Sequence, residues 1–144
     1  MEAVDRFRIK PIPEDILRSQ LILDETSSLE VDGQAIEAQF RCSRGYLVIT
    51  SDGNPYEEMI HFYLLDHKGD LLDEVSLGRI YHSGTLRDID AKSDDQVEFS
   101  FFGTERWCLS ILAEARLQPA PLFSSVTRKQ GWLGSHYLSL RKCS

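Results

Sequence analysis

Apolar and polar positions alternate along much of this chain. Ile36, Ala38, Phe40 and Cys42 occupy every second position of one segment, and the segment YLVIT that follows is almost entirely apolar. A period of two is typical of a strand with one buried face, whereas a continuous apolar run is typical of a strand covered on both faces. The pattern therefore predicts a half-buried strand followed by a central one.

The clearest antiparallel hairpin is predicted by the segments QVEFSFF and RWCLSILAEARL, which the turn GTE separates. Their apolar positions at even spacing are Val97, Phe99, Phe101, Trp107, Leu109, Ile111, Ala113, Ala115 and Leu117. The second segment is also rich in Ala, Leu and Glu, which are good helix formers. The long period of two nevertheless favours a strand.

A second hairpin is predicted at Asp32-Gly33, because this dipeptide suits a two-residue turn and lies between two short runs. The N-terminus has a different character. Residues 1–12 are mixed polar, which predicts an irregular arm. The segment PEDILRSQ predicts a short helix over 13–20, since Pro13 suits a first helical position and acids follow it.

Residues 54–69 can be interpreted in two ways. As a helix, capped by Asn54 with Pro55 next, they would place Glu58 and His61 on one face, where the pair invites a metal site. As a strand, the continuous apolar run MIHFYLL would pair through the turn HKG with DLLDEVSL. The neighbouring strands favour this second interpretation, so the sequence predicts one hairpin.

The strand assignment has a chemical consequence. Residues three apart on a strand point to opposite faces, so Glu58 and His61 cannot share a metal ion. We therefore expect His61 to be an imidazole hydrogen-bonded within the sheet at the edge of the core. No metal site, cofactor or catalytic residue is predicted.

These elements predict a single all-β domain, 1–144, that is mainly antiparallel. We expect about seven to nine strands in a hairpin meander. The meander would form a sandwich or a partly closed barrel, with the short N-terminal helix beside it. Residues 118–144 would be a crossing segment followed by a C-terminal strand or tail.

Composition and cysteine usage indicate the cellular compartment in which the protein is expected. No apolar run approaches the roughly 20 residues of a membrane span, and the N-terminus lacks the apolar region of a secretory signal. Cys42, Cys108 and Cys143 are an odd number at wide spacing, without a C-x-x-C pair. These features predict reduced thiols in a cytoplasmic protein that has no membrane contact.

The net charge of −7 is unevenly distributed. Residues 52–98 contain 12 acids and 4 bases (−8), whereas residues 99–144 contain 2 acids and 6 bases (+4). Such a chain favours a basic protein partner and repels nucleic acid, although solubility alone would also explain the acids. Two acidic loops, SDGNPYEE (51–58) and DIDAKSDD (88–95), are the predicted partner-binding surface. Its residues are Asp52, Asn54, Tyr56, Glu57, Glu58, Asp88, Asp90, Asp94 and Asp95.

Local motifs argue against several activities. The chain has no phosphate-binding loop, dinucleotide fingerprint, nucleophile elbow or H-E-x-x-H sequence. RDIDAKSDDQVE departs from a calcium loop at Lys92 and Ser93. The C-terminal basic and aromatic residues resemble a single-strand-binding pattern, but four charges beside an acidic third make a weak field.

The sequence thus predicts a non-catalytic cytosolic binding protein that presents an acidic surface to a protein partner. An immunity-type inhibitor of a basic toxin is one concrete form, because it needs only a stable scaffold and complementary charge. One alternative is a small-ligand-binding β-barrel with a cavity lined by His61, Tyr63 and Trp107. A further alternative is an enzyme without a recognisable local motif.

Overall fold

The computed structural model describes residues 1–13, 15–24, 27–52, 59–78, 86–117, 126–128 and 135–143, which contain thirteen strands and no helix. The strands are β1 (Glu2–Ala3), β2 (Phe7–Ile12), β3 (Asp15–Leu23), β4 (Ser27–Asp32), β5 (Ala35–Cys42), β6 (Gly45–Ser51), β7 (Met59–Leu65), β8 (Leu71–Gly78), β9 (Arg87–Ser93), β10 (Gln96–Ser100), β11 (Arg106–Leu117), β12 (Val126–Thr127) and β13 (Ser135–Lys142).

The strands form three antiparallel sheets. The N-terminal sheet has the order β2-β3-β4, the central sheet β1-β5-β6-β7-β8-β12, and the C-terminal sheet β13-β11-β10-β9. The predicted all-β antiparallel class is confirmed, and each sheet contains a meander of consecutive strands. The strand number exceeds the expected seven to nine, partly because the N-terminal region is itself a sheet. The described strands do not close into a barrel.

The central sheet is covered on both faces. One face packs on the N-terminal sheet through the buried residues Phe7, Leu21, Leu23, Val31, Tyr46, Val48, Tyr63 and Leu65. The other face packs on the C-terminal sheet, and its core includes Leu47, Ile49, Phe62, Leu64, Val97, Phe99, Trp107, Leu109 and Leu138. This layering explains why all seven residues of β6 are buried, as the apolar run predicted.

The choice between helix and strand at the centre of the chain is settled as strand. Met59–Leu65 pairs with β6 on one side and with β8 on the other. The hairpin of MIHFYLL with DLLDEVSL is therefore confirmed, and so is the central position of β6. The proposed helix cap at Asn54 lies outside the described residues.

The β10–β11 hairpin is also confirmed, but its alternation ends at Ile111. A register shift separates Ile111 from Arg116 in the pairing of β11 with β13, and Ala113 is exposed instead of buried. Arg44 donates from Nε to the Leu112 carbonyl at 3.0 Å and from Nη2 to the Ala113 carbonyl. The irregularity thus directs two carbonyls to a side chain of the β5–β6 turn.

The predicted irregular arm over 1–12 and the helix over 13–20 are both wrong. The arm contains β2, and β3 occupies Asp15–Leu23 between β2 and β4. Leu21 and Leu23 alternate into the core, and burying them outweighs the local helix signals around Pro13. Among the described residues, no helical segment has the length and apolar character that a membrane crossing requires.

The Asp32-Gly33 pair does not form the predicted hairpin. β4 pairs with β3, whereas β5 pairs with β6 and β1, so this turn is a corner between two sheets. Gly33 has φ 107°, and a Cβ added there would lie 2.6 Å from Thr50 Oγ1. A glycine is needed here because the backbone conformation is left-handed and because Thr50 of the central sheet leaves no space for a Cβ atom.

We expect Gly33→Ala to lower the free energy of unfolding by more than about 1 kcal/mol, because the residue would be strained and would also clash with Thr50. Urea melts followed by circular dichroism would measure the loss. Gly103→Ala is the matched control, since Gly103 has φ 76° and open space where its Cβ would lie. Equal losses in the two variants would contradict a role for the contact with Thr50.

Candidate functional site

The outer face of the C-terminal sheet carries a cross-strand row of polar residues. Asp90 on β9 lies opposite Glu98 on β10, Glu98 lies opposite Cys108 on β11, and Cys108 lies opposite Arg141 on β13. Directly opposed residues in an antiparallel sheet share a face. This row, here called the outer row, faces away from the core because Val97, Phe99, Trp107 and Leu109 occupy the intervening inward positions.

The acidic hairpin, residues 88–95, forms one end of this face. Asp94 is exposed, with 81 % of its side chain accessible, and its Oδ1 lies 3.3 Å from the N-terminal nitrogen of Met1. Lys92 Nζ lies 2.8 Å from Asp90 Oδ2. The hydrogen bond between Lys92 and Asp90 lowers the pKa of Asp90 and raises the pKa of Lys92.

Hydrogen bonds on several sides fix the turn of the acidic hairpin. The Asp95 amide donates to Ser93 Oγ at 3.2 Å, and the Ile111 amide donates to the Asp95 carbonyl at 2.7 Å. The Ser43 hydroxyl donates to the Asp95 carboxylate. A loop held in this way loses little conformational entropy when a partner binds.

Arg106 on β11 contacts both β9 and β10. Its Nη1 donates to the Asp88 carbonyl at 2.8 Å, and its Nε lies 3.6 Å from Glu98 Oε1. Asp88 itself has φ 53°, a left-handed conformation that aspartate tolerates better than most residues. Arg106 and Lys92 thus offset the repulsion between Asp90 and Glu98, which face each other directly.

The structure does not bring all the predicted partner-binding residues together. Asp95 contacts Ser43, which precedes β6, whereas Asp52 follows the opposite end of β6. Seven strand residues span roughly 20 Å at about 3.3 Å each, so Asp52 is remote from the acidic hairpin. Asn54, Tyr56, Glu57 and Glu58 lie outside the described residues.

Asp52 instead takes part in a chain with His61 and Ser76. His61 Nε2 lies 2.8 Å from Asp52 Oδ1, and its Nδ1 lies 2.7 Å from Ser76 Oγ. His61 is 6 % exposed, so the predicted hydrogen-bonded imidazole at the core edge is confirmed. Such a chain can activate a serine in enzymes, but here the imidazole links Ser76 on β8 to Asp52, the residue directly after β6. We assign it to anchoring of the sheet.

His61, Tyr63 and Trp107, which the barrel alternative predicted to line a ligand cavity, do not lie on the same side of the central sheet. Tyr63 packs toward the N-terminal sheet and lies beside His61, their ring centroids 6.5 Å apart. Trp107 packs in the core on the opposite face of the central sheet. The Tyr63 hydroxyl accepts from the Asp32 amide at 2.7 Å, and burial raises the pKa of Tyr63. These residues do not line one cavity.

The structure contains a buried cluster of charged residues that the sequence analysis did not predict. Asp73 accepts from Arg128 Nη1 at 3.1 and 3.2 Å, and from the amides of Tyr137 and Leu138 at 2.9 Å each. His136 Nδ1 lies 3.3 Å from the same carboxylate. Burial lowers the pKa of Arg128, and the charge of Asp73 opposes that shift.

This cluster joins two sheets, because Asp73 belongs to β8 of the central sheet and β13 belongs to the C-terminal sheet. One sequence signal for it exists. Asp73 stands two residues before Val75 and four before Leu77, so it shares their inward face. A carboxylate at an inward strand position requires a buried partner.

The prediction of three reduced thiols is wrong for two of them. Cys108 and Cys143 form a disulfide with a Cα–Cα distance of 5.4 Å, whereas Cys42 is free and buried. Burial raises the pKa of the Cys42 thiol. The pair is 35 residues apart in the chain and meets only because β13 pairs with β11. Because disulfides persist mainly in oxidising compartments, this bond weakens the cysteine argument for a cytoplasmic location.

An open cleft of about 370 Å³ adjoins the disulfide. Its lining consists of Gln96, Glu98, Cys108, Arg141, Lys142 and Cys143. The cleft is therefore polar and sulfur-containing, and it differs from the apolar cavity that a small-ligand barrel would offer.

Comparisons with protein-family models, with curated proteins and with solved structures found no match to this chain. A function for the protein therefore has to follow from its own geometry and chemistry.

Proposed function

We propose that this protein is a non-catalytic binding protein whose acidic hairpin docks on a basic protein partner. The observation that carries the proposal is the acidic hairpin itself. Residues 88–95 contain four acids, Asp88, Asp90, Asp94 and Asp95, and one base, Lys92, so the segment has a net charge of −3. The segment lies on the edge strand of the described C-terminal sheet and on the turn that follows it.

Two physical features support docking at this hairpin. The acid side chains of Asp90 and Asp94 are exposed by 53 % and 81 %, so a partner can reach them without unfolding. The turn behind them is held by Ser43, Ser93 and Ile111. A fixed array of like charges accelerates the approach of an oppositely charged partner and selects its orientation.

An immunity-type inhibitor of a basic toxin remains a concrete form of this function. Such an inhibitor needs a stable scaffold and a charged surface, and it acts where the toxin would act. A cytoplasmic location is part of this form of the proposal. Purification of the partner together with this chain from the source organism would identify it.

Reversal of two hairpin charges tests the proposal. We expect Asp90→Lys with Asp94→Lys to slow association with the basic partner by about tenfold or more at low salt, since the steering field changes sign locally. Unfolding free energy should change by less than about 2 kcal/mol, because the reversals remove only the exposed ion pairs with Lys92 and the N-terminus. Asp95 is left intact because it holds Ser43. The partner is first captured with the parent chain, and its association rate is then measured at two salt concentrations.

Asp5→Lys with Glu30→Lys is the matched control. These side chains are exposed by 86 % and 66 % and belong to the N-terminal part of the chain. Each reversal adds two charges, so both double variants move the net charge from −7 to −3. The control should keep the parent's association rate within about twofold. Equal slowing in both variants would show a general charge effect and would overturn the assignment to the hairpin.

A further inference from the structure

Two residues of the outer row, Glu98 and Cys108, form a group of potential metal ligands with Cys143, and no sequence motif predicted this group. One carboxylate oxygen of Glu98 and the two sulfurs of Cys108 and Cys143 all lie within 4.8 Å of one another. Glu98 and Cys108 are directly opposed on β10 and β11, and the Cys143 amide donates to the Arg106 carbonyl at 2.9 Å. Three backbone segments of the sheet therefore hold the three ligand atoms in place.

We propose that reduction of the Cys108–Cys143 disulfide creates a site for a zinc ion, with Glu98 as the third protein ligand. Zinc accepts thiolate sulfur at about 2.3 Å and carboxylate oxygen at about 2.0–2.2 Å, in tetrahedral geometry. Those bonds place ligand atoms ~3.3–3.8 Å apart. In the oxidised protein the three atoms already lie within 4.8 Å of one another, so we expect side-chain rotations to reach this geometry once the bond between the sulfurs is broken.

The zinc site would form in two steps, reduction of the disulfide and binding of the ion. A dithiol reductant gives two electrons and two protons to the disulfide, becomes a disulfide itself, and leaves Cys108 and Cys143 as thiols. Zn²⁺ then binds the two sulfurs and releases their protons to solvent. A water molecule from the open cleft completes the fourth position, as in zinc sites with three protein ligands.

The neighbouring charges suit this state. Two thiolates and one carboxylate carry three negative charges against the two positive charges of Zn²⁺, and Arg141, which lies opposite Cys108, lines the same cleft. The positive charge of Arg141 favours the thiolate anions, whereas the Lys142 ammonium pairs with Glu105 at 3.0 Å. When Glu98 binds zinc, Arg106 would give up its 3.6 Å contact with Glu98 and keep its hydrogen bonds to Ser100 Oγ and the Asp88 carbonyl.

This inference is independent of partner docking, and metal titration tests it alone. The full chain is reduced, freed of reductant without oxygen, and titrated with Co²⁺ as a spectroscopic substitute for zinc. We expect one Co²⁺ per chain, with a sulfur-to-cobalt absorption band that Zn²⁺ abolishes because zinc binds such sites more tightly. The oxidised chain is expected to bind none.

Variants distinguish the proposed site from adventitious uptake. Cys143→Ser should lose the absorption band, and Glu98→Gln should bind at least about tenfold more weakly. Cys42→Ala removes the buried thiol away from the cleft and should bind as the parent does. Equal uptake by the oxidised chain or by Cys143→Ser would overturn the proposal. So would loss of the β-sheet circular dichroism on reduction, because the ligands must remain in register on the folded sheet.

Discussion

Replacing Asp73 with asparagine is expected to reduce the free energy of unfolding by about 3–5 kcal/mol. The carboxylate neutralises the buried Arg128 and accepts the amides of Tyr137 and Leu138. Asparagine keeps the shape but carries no charge, so it leaves a guanidinium 2 % exposed without its counter-ion. Urea melts followed by circular dichroism would measure the change, and β13 should lose amide protection from hydrogen exchange first.

Two further variants make this prediction specific. Asp70→Asn changes an exposed aspartate three residues away and should alter stability by less than about 0.5 kcal/mol. Adding Arg128→Met to Asp73→Asn should recover part of the loss, with a coupling of about 0.5–3 kcal/mol between the two positions. Simple additivity of the two losses would show that Asp73 and Arg128 do not stabilise each other.

Trp107→Ala should cost about 3–5 kcal/mol of unfolding free energy. The side chain is 4 % exposed, lies opposite Phe99 across the β10–β11 pair, and meets the Phe102 ring edge-on at 6.4 Å. Removal of the indole would leave a cavity in the core between the central and C-terminal sheets, where strand pairing prevents collapse. Circular dichroism in urea is a suitable measurement, because it does not depend on tryptophan fluorescence.

Leu72→Ala provides the control for loss of apolar side-chain volume. Leu72 is 36 % exposed, so its truncation should cost less than Trp107→Ala by at least about 2 kcal/mol. A loss below about 1 kcal/mol for Trp107→Ala would show that the indole does not fill this core.

Sequence reasoning succeeded where burial leaves a periodic trace. The apolar run at Met59–Leu65 predicted a strand despite good helix-capping residues before it, and both faces of β7 are indeed covered. It failed at 13–20. The helix signals around Pro13 depend on neighbouring residues, whereas the strand β3 depends on pairing with β2 and β4, which local signals do not reveal. Its charge pattern led to the acidic hairpin, whose four exposed acids lie within eight consecutive residues and need no long-range pairing to be recognised.

By itself, the sequence determined the all-β class, the central strands, the β7–β8 and β10–β11 hairpins and the acidic segment 88–95, because each depends on spacing within one or two strands. Only the tertiary structure decided that Asp32-Gly33 is a corner between sheets and that Asp73 meets Arg128. It also brought Cys108, Cys143 and Glu98 to one cleft. These features depend on which distant strands become neighbours, and that choice follows from the burial of both faces of the central sheet, a property of the whole chain.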